Sequence, residues 1–263
     1  MTDSVTSKDG TIIAYEKAGT GPALVLVDGA LCYREFGPAR DVSKELQDEY
    51  TVYIYDRRGR GESGDTLPYA PEREFEDLAA VLEATGEVPY VMGQSSGAAI
   101  GLEAAASGIP MRKLAVYEAP YVGITTEKGK PRDYQRDLKA LLDSGDRGGA
   151  VNYFMVKMVG GPFFLPLMMG LMKSVFSKLK AVAHTLPYDT AVMNGFVVPP
   201  STLAKVSVPT LVMGGSKGKP NMKAAVAAVA DAVPGSVRKE LVGQTHQVSP
   251  AVLVPELKSF FKE

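Results

Sequence analysis

The sequence predicts an α/β protein: a doubly wound, mostly parallel sheet into which an all-helical cap is inserted. Three observations lead to this prediction. Short apolar runs alternate with helix-like segments over residues 1–120, the alternation stops at residues 121–204, and it resumes over residues 205–263. The outer two stretches are therefore expected to form one core, and the middle stretch the cap.

The first part of the core begins with a hairpin and continues with buried strands. Asp9-Gly10 is a turn signal that joins the two halves of residues 4–17 into an antiparallel pair. Four continuous apolar runs are typical of strands buried on both faces. They are ALVLVDG (23–29), TVYIYD (51–56), PYVMG (89–93) and KLAVYEAP (113–120). Helical spacing of apolar residues predicts the helices between them, over 38–49, 75–85 and 97–108.

The middle segment shows helical patterns and no convincing strand. Its helix-like stretches are PRDYQRDLKALLDS, AVNYFMVKMV and LMMGLMKSVFSKLKAVAHTL. The core pattern then resumes with strand VPTLVMGG (208–215), helix 222–233, strand 237–243 and helix 250–263. A cap inserted in this way lies where an entering substrate would pass.

Composition excludes several classes of protein. A length of 263 residues with 45% hydrophobic residues suits one core with an insertion, and 29 basic against 30 acidic residues argue against a nucleic-acid partner. The single cysteine, Cys32, excludes an internal disulfide and a cysteine metal cluster, and we expect neither metal nor cofactor. The amino terminus is polar, and the apolar run 158–172 is too short to cross a bilayer. We therefore expect a cytoplasmic protein without a membrane span. We expect it to be a monomer or a homodimer.

GQSSG (93–97) lies between a buried strand and a helix of small residues, and this setting favours a nucleophile at Ser95. Such a tight turn leaves little room at its flanks, a condition that Gly93 and Gly97 meet. The helix also directs its free N–H groups toward the serine. A plain Gly-Ser loop or a phosphate-binding turn is the alternative, although no phosphate-loop pattern fits here.

A serine nucleophile needs a base, and the chain has only two histidines. His246, in GQTHQV, follows the last predicted strand and should lie at the same edge of the sheet as Ser95. His184 belongs to a predicted cap helix, where packing or exposure is the commoner role. We therefore predict His246 as the base.

GQSSG, the loop DRRGRGESG (56–64) and GQTHQ together resemble the α/β-hydrolase superfamily, over about residues 1–120 and 205–263. The resemblance implies the α/β-hydrolase fold and a Ser-acid-His triad. In that family the acid is usually an aspartate just after the strand that is VPTLVMGG here, but Gly218 or a neighbour stands at that place. The arginine-rich loop is expected to be structural, tied down by charge-assisted hydrogen bonds of Asp56 and its arginines; a phosphate site at Arg57, Arg58 and Arg60 is the alternative.

Glu118 is the predicted acid. It closes the strand that follows the elbow helix, and some superfamily members, including certain haloalkane dehalogenases and fungal lactone hydrolases, resemble this arrangement. A carboxylate that ends an apolar buried strand also needs a partner, because unpaired burial is costly. An exposed strand-end carboxylate is one alternative, and Asp231 as the acid is another.

The remaining site residues are expected around these three. The N–H of Ser96 and, by the resemblance, that of Ala30 would form the oxyanion hole. Asp28 stands where the family commonly has histidine. The predicted pocket wall consists of Asp28, Cys32, Gln94, Met155, Phe163 and Phe164. The methionines and phenylalanines of the cap favour an apolar substrate.

These residues predict a serine hydrolase of the esterase or lactonase type that cleaves an acyl bond of a largely apolar small molecule through an acyl-enzyme. Two other hypotheses stay open. A lyase or cyclase on the same scaffold could use the serine and histidine as acid and base. A catalytically inactive binding protein is the third, supported mainly by the missing aspartate.

Overall fold

A central eight-stranded sheet organises the computed structural model, which describes residues 2–123, 126–127 and 130–262. Its strands are β1 (Asp3–Thr6), β2 (Ile12–Ala18), β3 (Ala23–Val27), β4 (Thr51–Tyr55), β5 (Tyr90–Gln94), β6 (Leu114–Tyr117), β9 (Thr210–Gly215) and β10 (Val237–Leu241). The order across the sheet is β1-β2-β4-β3-β5-β6-β9-β10. The pairs β1–β2 and β2–β4 are antiparallel, and every other pair in the sheet is parallel.

Helices cover both faces of this sheet. Those of the core are α1 (Ala39–Leu46), α2 (Pro71–Glu83), α3 (Ser96–Ala106), α10 (Pro220–Ala232) and α11 (Pro250–Lys262). Alternate strand residues serve the two faces: Val25 and Val91 pack with α2, α3 and α10, whereas Leu24 and Met92 pack with α1 and α11. Because both faces are covered, the parallel strands are continuously apolar rather than alternating. The predicted doubly wound, mostly parallel sheet is confirmed.

The cap segment, residues 121–204, connects β6 to β9. Its helices are α4 (Tyr134–Asp143), α5 (Arg147–Tyr153), α6 (Leu165–Leu171), α7 (Lys173–Ala181), α8 (Leu186–Val192) and α9 (Pro200–Leu203), with a π-helical turn at Phe154–Met158 and 3-10 turns at Ala183–Thr185 and Asn194–Phe196. Part of the segment has its own apolar cluster around Leu138, Val151 and Leu186. Its later part, including Met193 and Phe196, packs into the same cluster as α3. The division into a core and a separate cap therefore stays a prediction.

Two elements differ from the sequence prediction. The cap segment is not entirely helical, because β7 (Thr126–Glu127) and β8 (Lys130–Pro131) form a small antiparallel ladder. Strands of two residues are too short to produce an alternating pattern, so the sequence carries no signal for them. Helix α2 begins at Pro71, four residues before the predicted start at 75. Proline at the first helical position and acidic residues in the first turn, Glu72 and Glu74, are favourable there.

The arginines of the DRRGRG loop are fully buried in ion pairs, as expected for a structural loop. The Arg57 guanidinium donates to both carboxylate oxygens of Glu74, at 3.0 and 2.7 Å, and to Asp189 of α8 at 2.8 Å. Arg60 donates to the other oxygen of Asp189, also at 2.8 Å. The loop thus joins the core helix α2 to the cap segment through buried charges.

Arg58 forms a second buried pair. Its guanidinium donates twice to Asp77 of α2, at 2.7 Å in each case, and once to Asp9 at 3.0 Å. Both Arg58 and Asp77 are fully buried.

No helix within the described ranges is long and apolar enough to cross a membrane.

We expect Arg58→Met to lower the free energy of unfolding by about 3–5 kcal/mol, because it leaves Asp77 buried without its partner. Urea denaturation followed by circular dichroism measures the change. Lys44→Met is the matched control, since Lys44 and its partner Asp41 are exposed and such a pair contributes at most about 0.5 kcal/mol. Equal effects of the two substitutions would contradict a structural role for the buried pair.

Candidate active site

Ser95 occupies a strained turn between β5 and α3. Its backbone has φ 56° and ψ −126°, a conformation that costs a non-glycine residue about 1–3 kcal/mol. The turn is possible because its neighbours are small: a Cβ at Gly93 would collide with the carbonyl of Gly97, and one at Gly97 with the carbonyl of Val27. The N–H of Ser95 donates to the carbonyl of Tyr117 at 2.9 Å, which ties the turn to β6.

The structure brings Ser95, His246 and Glu118 into one hydrogen-bonded chain. The Nε2 atom of His246 lies 3.1 Å from Ser95 Oγ, and its Nδ1 atom lies 2.8 Å from Glu118 Oε2. A neutral imidazole that donates Nδ1–H to the carboxylate presents an unprotonated Nε2 to the serine hydroxyl. This tautomer suits proton transfer from the serine.

The loop that carries His246 is fixed by side chains from two neighbouring strands. Gln94, the last residue of β5, donates to the carbonyl of His246 at 3.3 Å. The hydroxyl of Tyr117, the last residue of β6, donates to the carbonyl of Thr245. Both contacts are made at the carboxyl edge of the sheet, where parallel strands place their ends together.

Glu118 is held in place on all sides. Its backbone has a positive φ of 47°, and its side chain is 2% exposed. The Oε1 atom accepts a hydrogen bond from the N–H of Gly215 at 2.9 Å, which leaves Oε2 for His246. A Cβ at Gly218 would lie only 3.1 Å from Oε1. The carboxylate of Glu118 therefore occupies the space beside the position where the superfamily usually has its aspartate.

The backbone groups predicted for the oxyanion hole lie beside Ser95. Ser96 is the first residue of α3, so its N–H has no acceptor within the helix. Ala30 follows the turn at Gly29, and a Cβ at Gly29 would lie 2.9 Å from the Cβ of Ser95. The Arg60 guanidinium fixes this turn by donating to the carbonyls of Gly29 at 2.7 Å and Cys32 at 3.2 Å.

A cavity of about 550 Å³ opens above these groups. Ala30, Ser95, Ser96, Glu118 and His246 form part of its wall. The rest of the wall is mainly apolar, and its largest side chains are Val122, Phe154, Met158, Val159, Met193, Phe196 and Met222. Three lysines, Lys157, Lys217 and Lys219, complete the rim, and Lys219 donates to the carbonyls of Val159 and Gly160 at 3.0 and 2.8 Å.

The pocket wall predicted from the sequence needs correction, because none of its six members lines this cavity. Met155 packs against the cap cluster, while Phe163 and Phe164 are 89% and 48% exposed. Asp28 and Gln94 border a different, very small pocket behind the turn. Burial raises the pKa of Cys32 to about 12, so its thiol stays protonated.

Some of the missed wall residues have a recognisable signal and others have none. Met222 lies in the first turn of α10, the helix after β9, at the same sheet edge as Ser95, so the sequence does carry a signal for its position. Phe154 lies on the π-helical turn, one turn before Met158, a methionine of the cap run that the sequence does predict as part of an apolar wall. Met193 and Phe196 lie in irregular backbone around a 3-10 turn, where no periodic pattern marks the inward face.

His184 and Asp231 lie away from the chain of three. His184 lies in the cap segment, and its Nε2 atom is 3.8 Å from a carboxylate oxygen of Asp65. Asp231 is exposed on α10. Nowhere in the described ranges do three or more histidine, cysteine, aspartate or glutamate side chains come together in a way that could hold a metal ion.

Comparison with known proteins agrees with the sheet described above. A profile of the alpha/beta hydrolase family matches residues 19–256, nearly the whole chain. The chain belongs to the alpha/beta hydrolase family. The eight-stranded, mostly parallel sheet is thus an alpha/beta hydrolase fold.

Two solved structures and one curated protein illustrate what this chain is similar to. The crystal structure of an alpha/beta hydrolase from Sphaerobacter thermophilus is 46% identical, with a TM-score of 0.89 over 98% of this chain and 100% of that chain. An enol-lactonase from Burkholderia xenovorans is 17% identical, with a TM-score of 0.73 over 99% and 100% of the two chains, and shares the fold. An uncharacterized hydrolase of Bacillus subtilis, YraK, is 36% identical over 98 residues, a match that spans only 36% of this chain and 35% of the relative.

Asp28, two residues before Ala30, is a buried carboxylic acid. It lies beside Arg57 and Arg60, but those guanidinium groups already pair with Glu74 and Asp189. Burial raises the pKa of Asp28 to about 7, against the opposing effects of an N–H bond from Ala39 and of the two arginines. The carboxyl group thus changes its charge near neutral pH, next to the turn that carries Ala30.

We expect Asp28→Asn to flatten the pH dependence of stability. Because the folded state binds this proton more tightly than the unfolded chain, Asp28 makes the free energy of unfolding fall as the pH rises from about 4 to about 7. The variant should be more stable than wild type at alkaline pH, by about 4 kcal/mol, and about equally stable near pH 4. Urea denaturation across this pH range tests the expectation, with the exposed Asp48→Asn as control; a variant with the wild-type slope would contradict it.

Proposed function

We propose that this alpha/beta hydrolase is a serine hydrolase that cleaves a carboxylic ester, lactone or related acyl bond of a largely apolar small molecule through an acyl-enzyme. The hydrogen-bonded chain Ser95–His246–Glu118, with contacts of 3.1 and 2.8 Å, is the observation that carries the proposal. A serine hydroxyl becomes nucleophilic only when a base accepts its proton, and the imidazole is positioned to do so.

The proposed reaction proceeds in two halves. Ser95 Oγ attacks the substrate carbonyl while His246 Nε2 takes the hydroxyl proton, and Glu118 stabilises the imidazolium that forms. The carbonyl oxygen, now negatively charged, accepts hydrogen bonds from the N–H groups of Ser96 and Ala30. His246 then gives its proton to the leaving alcohol. In the second half, His246 takes a proton from water as the water oxygen attacks the acyl-enzyme carbonyl, and it returns this proton to Ser95 Oγ as the acid leaves.

The cavity supports an apolar acyl or alcohol group. Methionine side chains of the wall, Met158, Met193 and Met222, adapt to irregular ligand shapes. A volume of about 550 Å³ suits a small molecule rather than a polymer chain. The enol-lactonase that shares the fold is an example of cyclic acyl-bond cleavage on this scaffold. We therefore favour an ester or lactone over a charged or polymeric substrate.

A fluorophosphonate probe tests the nucleophile directly. We expect wild-type protein to be labelled at Ser95 and to lose esterase activity in step with labelling, because the probe reacts with an activated serine. Ser95→Ala should not be labelled. Ser107→Ala, which removes an exposed hydroxyl at the end of α3, is the control and should be labelled normally. A folded wild type that binds substrate analogues but is not labelled would favour the lyase, cyclase or binding hypotheses instead.

The identity of the acid is tested separately. We expect Glu118→Gln to lower kcat about 10³–10⁴-fold without loss of folding, because the amide no longer stabilises the imidazolium. Asp231→Asn, the control at the other acid considered, should leave kcat unchanged. Steady-state kinetics on a p-nitrophenyl ester measures both. Normal turnover in Glu118→Gln, or a comparable loss in Asp231→Asn, would overturn the assignment.

A further inference from the structure

The cap segment exposes a continuous run of large apolar side chains on and around α6. Phe163, Leu167 and Leu171 are 89%, 74% and 81% exposed. Phe164, Met168 and Met172 are exposed by 45–48%. We call these six residues the apolar cap face. Such a cluster is unusual on a soluble protein, because single exposed apolar residues are common but contiguous ones mark a contact surface.

The apolar cap face is a side of α6 that the cap does not need for its own packing. Met169 of the same helix is buried in the cap cluster, and Leu165 packs against that cluster. Leu167 and Leu171 lie one turn apart and share a different face. The helix is thus apolar on both sides, which is the pattern of a helix with something to cover it.

The stretch of chain that carries the apolar cap face is basic. Residues 147–188 contain no aspartate or glutamate, although the whole chain is almost neutral with a net charge of −1. The same stretch contains Arg147, Lys157, Lys173, Lys178 and Lys180. Lys157 and Lys173 flank the face along the chain, and neither forms an ion pair with a carboxylate in the part of the chain that the structure describes. Positive charge around an apolar surface is complementary to an anionic lipid headgroup layer.

A second copy of the chain suits this surface less well. A two-fold contact places the same patch of each copy against itself. The lysines of one copy would then face the lysines of the other, without an acidic residue from 147–188 to offset the repulsion. An anionic membrane provides both an apolar interior for the phenylalanines and leucines and negative charge for the lysines.

We propose that the apolar cap face is a docking surface for an anionic lipid membrane, into whose interface Phe163, Leu167 and Leu171 insert. Val159, Gly160 and Gly161 line the cavity, and the apolar cap face begins just after them in the sequence. The cavity therefore opens beside this surface. Docking therefore places the cavity mouth at the membrane, where apolar compounds accumulate.

Vesicle flotation with the whole protein tests the proposal. We expect binding to vesicles of phosphatidylserine and phosphatidylcholine in equal amounts, and little binding to phosphatidylcholine alone. Leu167→Ser/Leu171→Ser should lower the partition coefficient at least tenfold, because each leucine loses its burial in the membrane. Lys173→Gln should lower it about fivefold, and added salt should weaken it further. Leu67→Ser/Val88→Ser, which removes exposed apolar side chains elsewhere, is the matched control and should bind like wild type.

Soluble-ester turnover and sedimentation complete the experiment. The Leu167→Ser/Leu171→Ser variant should hydrolyse a short, soluble p-nitrophenyl ester at the wild-type rate, since neither residue lines the cavity. Flotation does not require turnover, so its outcome is independent of the proposed chemistry. Failure of the wild type to float with anionic vesicles would overturn the proposal. So would a dimer in sedimentation that the double substitution abolishes, because the face would then be covered by a second copy.

Discussion

The carboxylate of Asp189 joins three parts of the molecule that are distant in sequence. Its two oxygens accept hydrogen bonds from Arg57 and Arg60 of the loop after β4, at 2.8 Å in each case. Ser96, at the start of α3, donates its hydroxyl to the same carboxylate at 2.7 Å. Although burial opposes ionisation, Arg60 and Arg57 hold the pKa of Asp189 below its ordinary value. Removing Arg57 would leave Glu74 buried without its charged partner, and removing Asp189 would do the same to Arg60, so this contact is a constraint on the whole site.

The geometry around Ser95 follows from that contact. The cap segment provides Asp189, the core loop provides the arginines, and Arg60 in turn holds the Gly29 carbonyl at 2.7 Å. The turn before Ala30 and the first residue of α3 are therefore fixed relative to each other through a network without bulk water. Preorganised N–H groups of this kind stabilise developing negative charge at no reorganisation cost during a reaction.

The sequence predicts a mostly parallel sheet, the succession of buried strands along the chain and the tight turn at Ser95, because these depend on local patterns. Continuous apolar runs mark parallel strands, and the glycines at 93 and 97 mark a turn with no room for side chains. Ser95, His246 and Glu118 could be brought together because all three follow strands whose ends share one edge. Glu118 fits at this position because the N–H of Gly215 binds its carboxylate and because Gly218 has no side chain. These are relations between neighbouring strands, which the sequence does not reveal.

The same local patterns do not predict the wall of the cavity. Helices of the cap segment are short and interrupted by 3-10 and π-helical turns, so no stable period identifies the face that points inward. The sequence predicts Phe163 and Phe164 as wall residues because they are apolar and belong to the cap, yet they lie on the exposed surface. The apolar character of a side chain indicates that it avoids water, but it does not indicate whether the protein itself or another apolar phase covers it. The partners of Arg57 and Arg60 in α8 are likewise set by tertiary packing, 129 positions away for Arg60.

The contact between Glu118 and Gly218 also limits how this scaffold can change over time. A Cβ at residue 218 would lie 3.1 Å from Glu118 Oε1, so an aspartate introduced there would place two carboxylates in one small, buried space. A substitution that first removed Glu118 would leave the imidazole without an orienting carboxylate. Each one-step intermediate is thus worse than either end state, and the two positions are expected to exchange only as a pair. The glycine at residue 218 and the glutamate at residue 118 therefore depend on each other, because a side chain at residue 218 would compete for the space that the carboxylate fills.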